Sequence, residues 1–317
     1  MTAVRPNPQV RRAIAKAVQA DTNLCWTCGT CESECPINLF AGRLHPRKIV
    51  WMANLGFLDE LLDYPELWYC MACKRCEQVC PNLVKPCALI AFLKEEAVRH
   101  RKVTRDQVKR IQDFASRFQR VRWHTVKQCF HGEAEPLSEE TWRECLDTPV
   151  DRLTSAIHLG EHSSKAREFI STAKDSAISS CFTCSECSCA CPLTFERSVF
   201  DPQWIFRMAN YGLYHELLTS PSIWLCIECG RCTEACTQLV KGREFIPALR
   251  NLAVELGFVD PGFVFRLSHA YKLIYARYTE EIDRILDLPE TLDGVAVPSA
   301  PPLNAGQALV SAGSELA

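Results

Sequence analysis

No stretch of the 317-residue chain approaches the eighteen-odd consecutive apolar residues needed to cross a bilayer. Its opening segment, MTAVRPNPQVRRAIAKAVQA, carries Arg5, Arg11, Arg12 and Lys16 and lacks the apolar core of a secretory signal. No G-x-G-x-x-G opens a strand-to-helix turn, so no built-in flavin or nicotinamide site is expected. Charge of one sign is missing too: a formal net charge of −2 gives no global reason to expect nucleic acid as a partner. Long alternating runs of the kind that make half-buried strands are also absent. These absences predict a cytoplasmic, all-α protein with no direct membrane span.

What the chain has in excess is cysteine, twenty residues in all. A reducing compartment keeps such thiols free, and their main use there is to bind metal. Sixteen fall into four groups spaced C-x2-C-x2-C-x3-C: Cys25, Cys28, Cys31, Cys35; Cys70, Cys73, Cys76, Cys80; Cys181, Cys184, Cys187, Cys191; and Cys226, Cys229, Cys232, Cys236. A constant offset of 156 residues carries the first two groups onto the last two. The same offset aligns residues that bind no metal. Met52-Ala53-Asn54 meets Met208-Ala209-Asn210, Glu60-Leu61-Leu62 meets Glu216-Leu217-Leu218, and Trp68, Arg75 and Leu83-Val84-Lys85 meet Trp224, Arg231 and Leu239-Val240-Lys241. Such agreement in one register marks a tandem duplication.

Local signals inside each copy predict short helices. Asp201 caps a helix that Pro202 begins, since a missing N–H costs nothing at that position, and Gly212 supplies the left-handed end. Ser220-Pro221 repeats the start signal. Residues 88–100 and 245–256 place apolar side chains three and four apart, as helices do. Between the copies, Thr104 and Gln107 form a capping box, and Val108, Ile111, Phe114, Ala115, Phe118 and Val121 mark one stripe of a long helix. A shorter helix is predicted from Ser138, carrying Trp142 and Leu146. The chain after Pro261 is helical in pattern to about residue 288, and the Pro-, Ala-, Gly- and Ser-rich tail from Val295 predicts disorder. The expected division is a first dicluster domain over 1–100, a helical linker over 101–170, a second dicluster domain over 171–260, and a C-terminal helix and tail over 261–317.

The cysteine spacing points to iron and sulfur. Three thiolates at two-residue gaps suit a loop wrapped round one face of a cubic cluster, and in two-cluster ferredoxins the fourth cysteine ligates the other cluster. Zinc, with its four ligands from two C-x2-C hooks, has no use for the middle third cysteine. Four [4Fe–4S] clusters are therefore expected. Cys25, Cys28 and Cys31 with Cys80 would hold the first, and Cys70, Cys73 and Cys76 with Cys35 the second. Cys181, Cys184 and Cys187 with Cys236 would hold the third, and Cys226, Cys229 and Cys232 with Cys191 the fourth. Cys87 and Cys189 have no cysteine counterpart in the other copy, and Cys129 and Cys145 stand alone in the linking region, so these four read as plain side chains. Trp68 and Trp224, just ahead of a cysteine loop, read equally well as cluster shields or as core residues.

The segments HPRKIVWMANLGFLDELL and DPQWIFRMANYGLYHELL, leading to LWYCMACKRCEQVCP and IWLCIECGRCTEACT, resemble the iron–sulfur C-subunit of heterodisulfide reductase and its relatives. More distantly they are similar to the helical cluster domain of the iron–sulfur subunit of succinate dehydrogenase. The resemblance covers about residues 20–100 and 176–256 and implies two tandem α-helical ferredoxin-like domains, each with two [4Fe–4S] clusters. It implies a role as an electron-transfer subunit, passing electrons between the flavoprotein and catalytic subunits of a heterodisulfide reductase-like complex. Two departures stand out. The family member usually has one such unit where this chain has two, and Cys236 is followed by Thr237 where proline is expected. The adjacent cysteine pairs of the family's catalytic subunit are missing, and no substrate site is visible. Rival readings are a soluble arm of a membrane quinone oxidoreductase, an enzyme reducing a substrate at one of its own clusters, and a zinc scaffold. Residues 94–127 carry eleven Lys and Arg against four Asp and Glu, which reads first as a solvated helix face, next as a surface for an acidic partner, and last as a site for nucleic acid.

Overall fold

The structure is a computed structural model. It describes residues 5–18, 20–132, 138–150, 176–194, 197, 199–260 and 262–288. Among these residues every regular element is a helix. The expected disordered tail from Val295, the part of the expected linker over 151–170 and the start of the expected second domain over 171–175 lie outside the described residues.

Helix α1 spans Pro8–Val18, α2 Thr30–Ser33, α3 Pro36–Ala41, α4 Pro46–Leu55, α5 Leu58–Leu62, α6 Glu66–Tyr69, α7 Arg75–Gln78 and α8 Pro86–Arg99. Two linking helices follow, α9 over Arg105–Phe130 and α10 over Glu139–Asp147. The second copy contains α11 Glu186–Ala190, α12 Pro202–Asn210, α13 Tyr214–Leu218, α14 Arg231–Glu234 and α15 Gly242–Glu255, and the last helix, α16, spans Phe263–Ile285. The offset of 156 residues places α4 on α12, α5 on α13, α7 on α14 and α8 on α15. One element differs in kind. Pro221–Leu225, the counterpart of α6, winds as a 3-10 helix, with Ser220 Oγ accepting from the Ser222 amide at 3.2 Å.

The predicted caps are in place. Asp201 Oδ1 accepts from the Gln203 amide at 2.9 Å, Gly212 has φ +74°, and Thr104 and Gln107 close a reciprocal capping box. Each satisfies backbone groups that the first or last turn of a helix leaves unpaired. Ser138 caps α10, which buries Trp142 and Leu146. On α9 the predicted stripe buries Ile111, Phe114, Phe118 and Val121.

The two long helices tie the copies together. They run antiparallel: Phe130 at the end of α9 meets Phe263 at the start of α16, with ring centroids 5.6 Å apart, while Gln107 at the start of α9 donates to Ile285 O at 3.2 Å. Between them Phe118 packs on Tyr278, Tyr275 and Trp142 at 4.6, 5.3 and 6.0 Å. Each long helix also crosses to the opposite copy. From α9, the buried Arg122 donates to Leu225 O at 2.6 Å. From α16, Asp283 accepts from Tyr69 Oη at 2.5 Å and from Arg43 at 2.6 Å, and Tyr271 and Tyr275 flank Phe40. Tyr69 and Leu225 are counterparts under the offset, so the exchange is reciprocal. A two-fold-like arrangement within one chain results, of the kind a symmetric dimer interface makes between two.

The basic run from Lys94 to Lys127 is largely used within the fold. Arg122 is buried, Arg117 bonds Asp147, Lys102 bonds Asp63 at 2.8 Å and Arg99 bonds Glu96 at 2.9 Å. Lys109 and Arg110 remain exposed.

Because Phe118 lies wholly inside the junction of α9 and α16, Phe118→Ala should cost about 3–5 kcal/mol. It should also split unfolding into two transitions, one per copy. Denaturant titration followed by far-UV circular dichroism and by iron release checks this; a single transition with an unmoved midpoint would contradict it.

Candidate metal centres

Each cysteine loop is shaped by two residues in the left-handed region, on either side of the second cysteine. They are Thr27 and Gly29, Ala72 and Lys74, Thr183 and Ser185, and Glu228 and Gly230, with φ between +53° and +88°. Six of the eight carry a side chain, and such a conformation costs a non-glycine residue of order 1–3 kcal/mol where it is imposed by its surroundings. Alternating right- and left-handed residues turn successive amides toward one concave side, a form that suits anionic groups, including iron–sulfur sites. Amides do point at sulfur: Thr27 N–H donates to Cys25 Sγ at 3.4 Å, Glu228 N–H to Cys226 Sγ at 3.3 Å and Val240 N–H to Cys236 Sγ at 3.4 Å.

Three cavities lie against these loops. The first is lined by Cys25, Cys28, Cys31 and Cys80, with an empty volume of about 380 Å³ counting its mouth. The second, about 370 Å³, is lined by Cys35, Cys70, Cys73 and Cys76. In the other copy, Cys191, Cys226, Cys229 and Cys232 line the third, about 320 Å³. In each case three thiols come from one loop and the fourth from the partner loop of the same copy. Around the remaining loop, Cys187 feels the charge of Cys181, Cys184 is exposed, and Cys236 directly follows α14, which packs against α11. The turn after Cys236 keeps its shape without proline: Leu239 N–H donates to Cys236 O at 3.1 Å, as Leu83 N–H does to Cys80 O at 3.2 Å. Among the described residues no group of three or more His, Cys, Asp or Glu could hold a single metal ion; the thiols stand around wider spaces.

Burial and crowding make these thiols reluctant to ionise on their own. Burial pushes Cys31, Cys35 and Cys232 up to about 12 and Cys187 to about 11, and it raises Cys73, Cys76 and Cys191 as well. Desolvation disfavours a thiolate, so the sites need a compensating positive charge, which bound iron provides while releasing the protons. A donor set of four thiolates ringed by amides fits an iron–sulfur cluster. When bound, that group supplies a reversible one-electron couple.

One residue that sequence reasoning set aside belongs to a site. Cys87 is buried and lines the second cavity as its fifth cysteine, alongside Cys70. The Cys87 thiol is the main influence that holds Cys70 below the usual thiol range. Its counterpart Arg243 lines the third cavity. A lone non-repeating cysteine gave no signal for this; the only hint was its place one residue into α8, facing the loops. Cys189 is exposed, 3.8 Å from Arg197 Nη2, while Cys129 and Cys145 are buried.

Cations stand behind the Cys70 and Cys226 loops, whose cavities are the inner sites of the two copies, those at Cys25 and Cys181 being the outer ones. Lys94 Nζ donates to Cys70 O at 3.0 Å and lies 5.6 Å from the centre of the Trp68 ring. Arg250 repeats this, donating to Cys226 O at 2.5 Å and lying 5.6 Å from the Trp224 ring. Both tryptophans are buried. At the outer sites, by contrast, Trp26 and Leu83 in one copy and their counterparts Phe182 and Leu239 in the other are each more than 70% exposed.

Comparison with known proteins finds iron–sulfur families over three of the four cysteine loops. A 4Fe–4S dicluster domain model matches residues 21–84, and a 4Fe–4S binding domain model matches residues 225–239. The C-subunit of the H(2):CoB-CoM heterodisulfide,ferredoxin reductase of Methanothermobacter thermautotrophicus is 30% identical over 149 residues, 45% of this chain and 79% of the relative. A protein of Archaeoglobus profundus named for its likeness to the heterodisulfide reductase C-subunit is 42% identical over 62 residues, 20% of this chain and 33% of the relative. The C-subunit of the ferredoxin:CoB-CoM heterodisulfide reductase of Methanosarcina mazei is 28% identical over 144 residues, 45% of this chain and 80% of the relative. With paired cysteine loops, a helical frame and a relative matched over most of its length, the chain belongs to the heterodisulfide reductase C-subunit family of iron–sulfur proteins.

Proposed function

We propose that the chain is an electron-transfer subunit carrying four [4Fe–4S] clusters, two per copy, within a heterodisulfide reductase-like oxidoreductase. Cys25, Cys28, Cys31 and Cys80 hold one cluster, and Cys35, Cys70, Cys73 and Cys76 the next. Cys191, Cys226, Cys229 and Cys232 hold the third, and Cys181, Cys184, Cys187 and Cys236 the fourth. The observation that carries this reading is the exchange of fourth cysteines between the two loops of a copy, which gathers four thiols at each cavity. The domains follow as 1–100 and 171–260, linked by 101–170 and completed by 261–317.

A relay needs redox sites, insulation and contact surfaces, and no acid, base or nucleophile. The names of the relatives supply the setting: reductases of a CoB–CoM heterodisulfide, some with ferredoxin. By that kinship the chain receives electrons from a flavoprotein subunit and hands them to a catalytic subunit. No helix among the described residues is long and apolar enough to cross a membrane, and the cytoplasm is the compartment proposed for a protein with this many reduced thiols.

Anaerobically prepared protein should contain about sixteen iron and sixteen acid-labile sulfide per chain, four cubes' worth. Metal analysis finding zinc without sulfide would overturn the reading.

Cys35→Ser should disturb the site at Cys70, Cys73 and Cys76 before the one at Cys25, seen as loss or alteration of one cluster signal in low-temperature spectra. A change confined to the Cys25 site would mean that each loop keeps its own four cysteines.

Gly242 sits where a Cβ would come 2.7 Å from Cys232 Sγ and 2.5 Å from Phe206 Cζ. Gly242→Ala should therefore displace that thiol and cost about a quarter of the bound iron, one cube of four, with the first copy unaffected. Full iron content and unchanged spectra would show that the thiol tolerates the shift.

A further inference from the structure

The inner pockets of the two copies lie against each other. Arg75 opens α7, immediately after the Cys70–Cys73 loop, and its guanidinium is largely shielded. Within its own copy it holds Glu34 Oε2 at 2.8 and 2.5 Å. Across the boundary it donates to Ile227 O at 2.5 Å, inside the Cys226–Cys229 loop, and stands 3.9 Å from Glu228. Next to it Gln78 Nε2 donates at 2.8 Å to Glu234 Oε2, which is Gln78's own counterpart under the offset. A Cβ on Gly230 would meet the Gln78 side chain at 3.5 Å. Residues that pair with their own counterparts mark a two-fold axis, and this one passes between the second and fourth cysteine loops.

Exposure runs the other way. At the inner pockets Cys35, Cys76, Cys229 and Cys232 are buried; at the outer sites Cys28 and its counterpart Cys184 are exposed, although Cys187 is buried.

We propose that Arg75 and Gln78 hold the inner pockets of the two copies face to face, so that the copies exchange electrons directly there and the four sites form one path with an outlet at each end. The order along it is the Cys25 site, the Cys70 site, the Cys226 site and the Cys181 site. At the junction one site is oxidised as the other is reduced by one electron, and no proton, atom or outside reagent is taken up. Arg75 is a positioning residue: its contacts bridge two thiol-lined pockets, and it lines neither of them. This rests on the reading that the cavities hold clusters, and it adds that the two copies are one conductor instead of two separate ones.

The experiment starts from the full chain, reconstituted and assayed for iron and sulfide. Absence of both removes the cluster reading itself, and with it the path. With the iron in place, electron paramagnetic resonance of the reduced protein reports magnetic interaction between neighbouring sites. To remove interaction within a copy, the outer sites are disabled by Cys28→Ser, Cys31→Ser, Cys184→Ser and Cys187→Ser, leaving about eight iron, two cubes' worth. Splitting or broadening that survives in this variant can come only from the inner pair and is the expected result. Two sharp, independent signals at that iron content would overturn the proposal. Should the fourfold variant not retain its iron, Arg75→Ala and Arg75→Lys in the otherwise intact chain decide the matter. Arg75→Ala should narrow the signals of the inner sites with iron content unchanged, and Arg75→Lys should recover part of the broadening. Spectra identical in all three proteins would show that the copies are insulated from each other.

Discussion

Everything in this chain is organised around the cost of gathering thiols in a protein interior. A buried thiolate is disfavoured by desolvation and by each neighbouring thiolate, and here four are brought to each cavity. The fold answers with left-handed loop residues that aim amides inward, with Lys94 and Arg250 behind the inner loops, and with helices short enough to leave the loops where they are. None of this removes the need for positive charge inside the cavity. The protein part is thus incomplete on thermodynamic grounds, and metal binding and folding are coupled.

The exchange of fourth cysteines makes that coupling structural. Cys35 leaves the first loop to start α3 and lines the second cavity, and Cys80 closes the first. On the proposed assignment, neither site is complete without the loop of the other. Around these staples each copy has its own buried apolar residues, and an aromatic cluster of Phe114, Phe118, Trp142, Tyr275 and Tyr278 joins α9, α10 and α16. Burying such rings contributes on the order of 1.5–3 kcal/mol each, so the union of the copies is as much a part of the fold as the copies themselves.

Much of this was legible in the sequence, and what was hidden follows a pattern. Spacing and the repeat offset gave the loops, the duplication and the helices; Thr104, Ser138 and Asp201 gave helix starts that the structure reproduces. These are local signals, set by periodicity and capping. The partners of each buried face were not legible. The stripe on α9 announces a buried side but says nothing of α16, and the surplus of Lys and Arg there concealed that Arg122 is an interior residue reaching Leu225. Cys87 gives no signal in the sequence because the duplication does not repeat it, yet it lines the second cavity beside Cys70. Repetition identifies what two copies share and is blind to what only one of them does.

That blindness has a counterpart in the molecule. Two separate copies of a single gene product meeting about a two-fold axis would have to present identical inner sites, whatever their sequence. Joined in one chain, they are released from that identity. Position 87 is a thiol and its mate at 243 a guanidinium, Glu34 is matched by Ala190, and Lys74 by Gly230. Hydrogen bonds and charges around a cluster set its potential. A fused pair can therefore hold its two central sites at different potentials, giving a slope to what a true dimer would keep level.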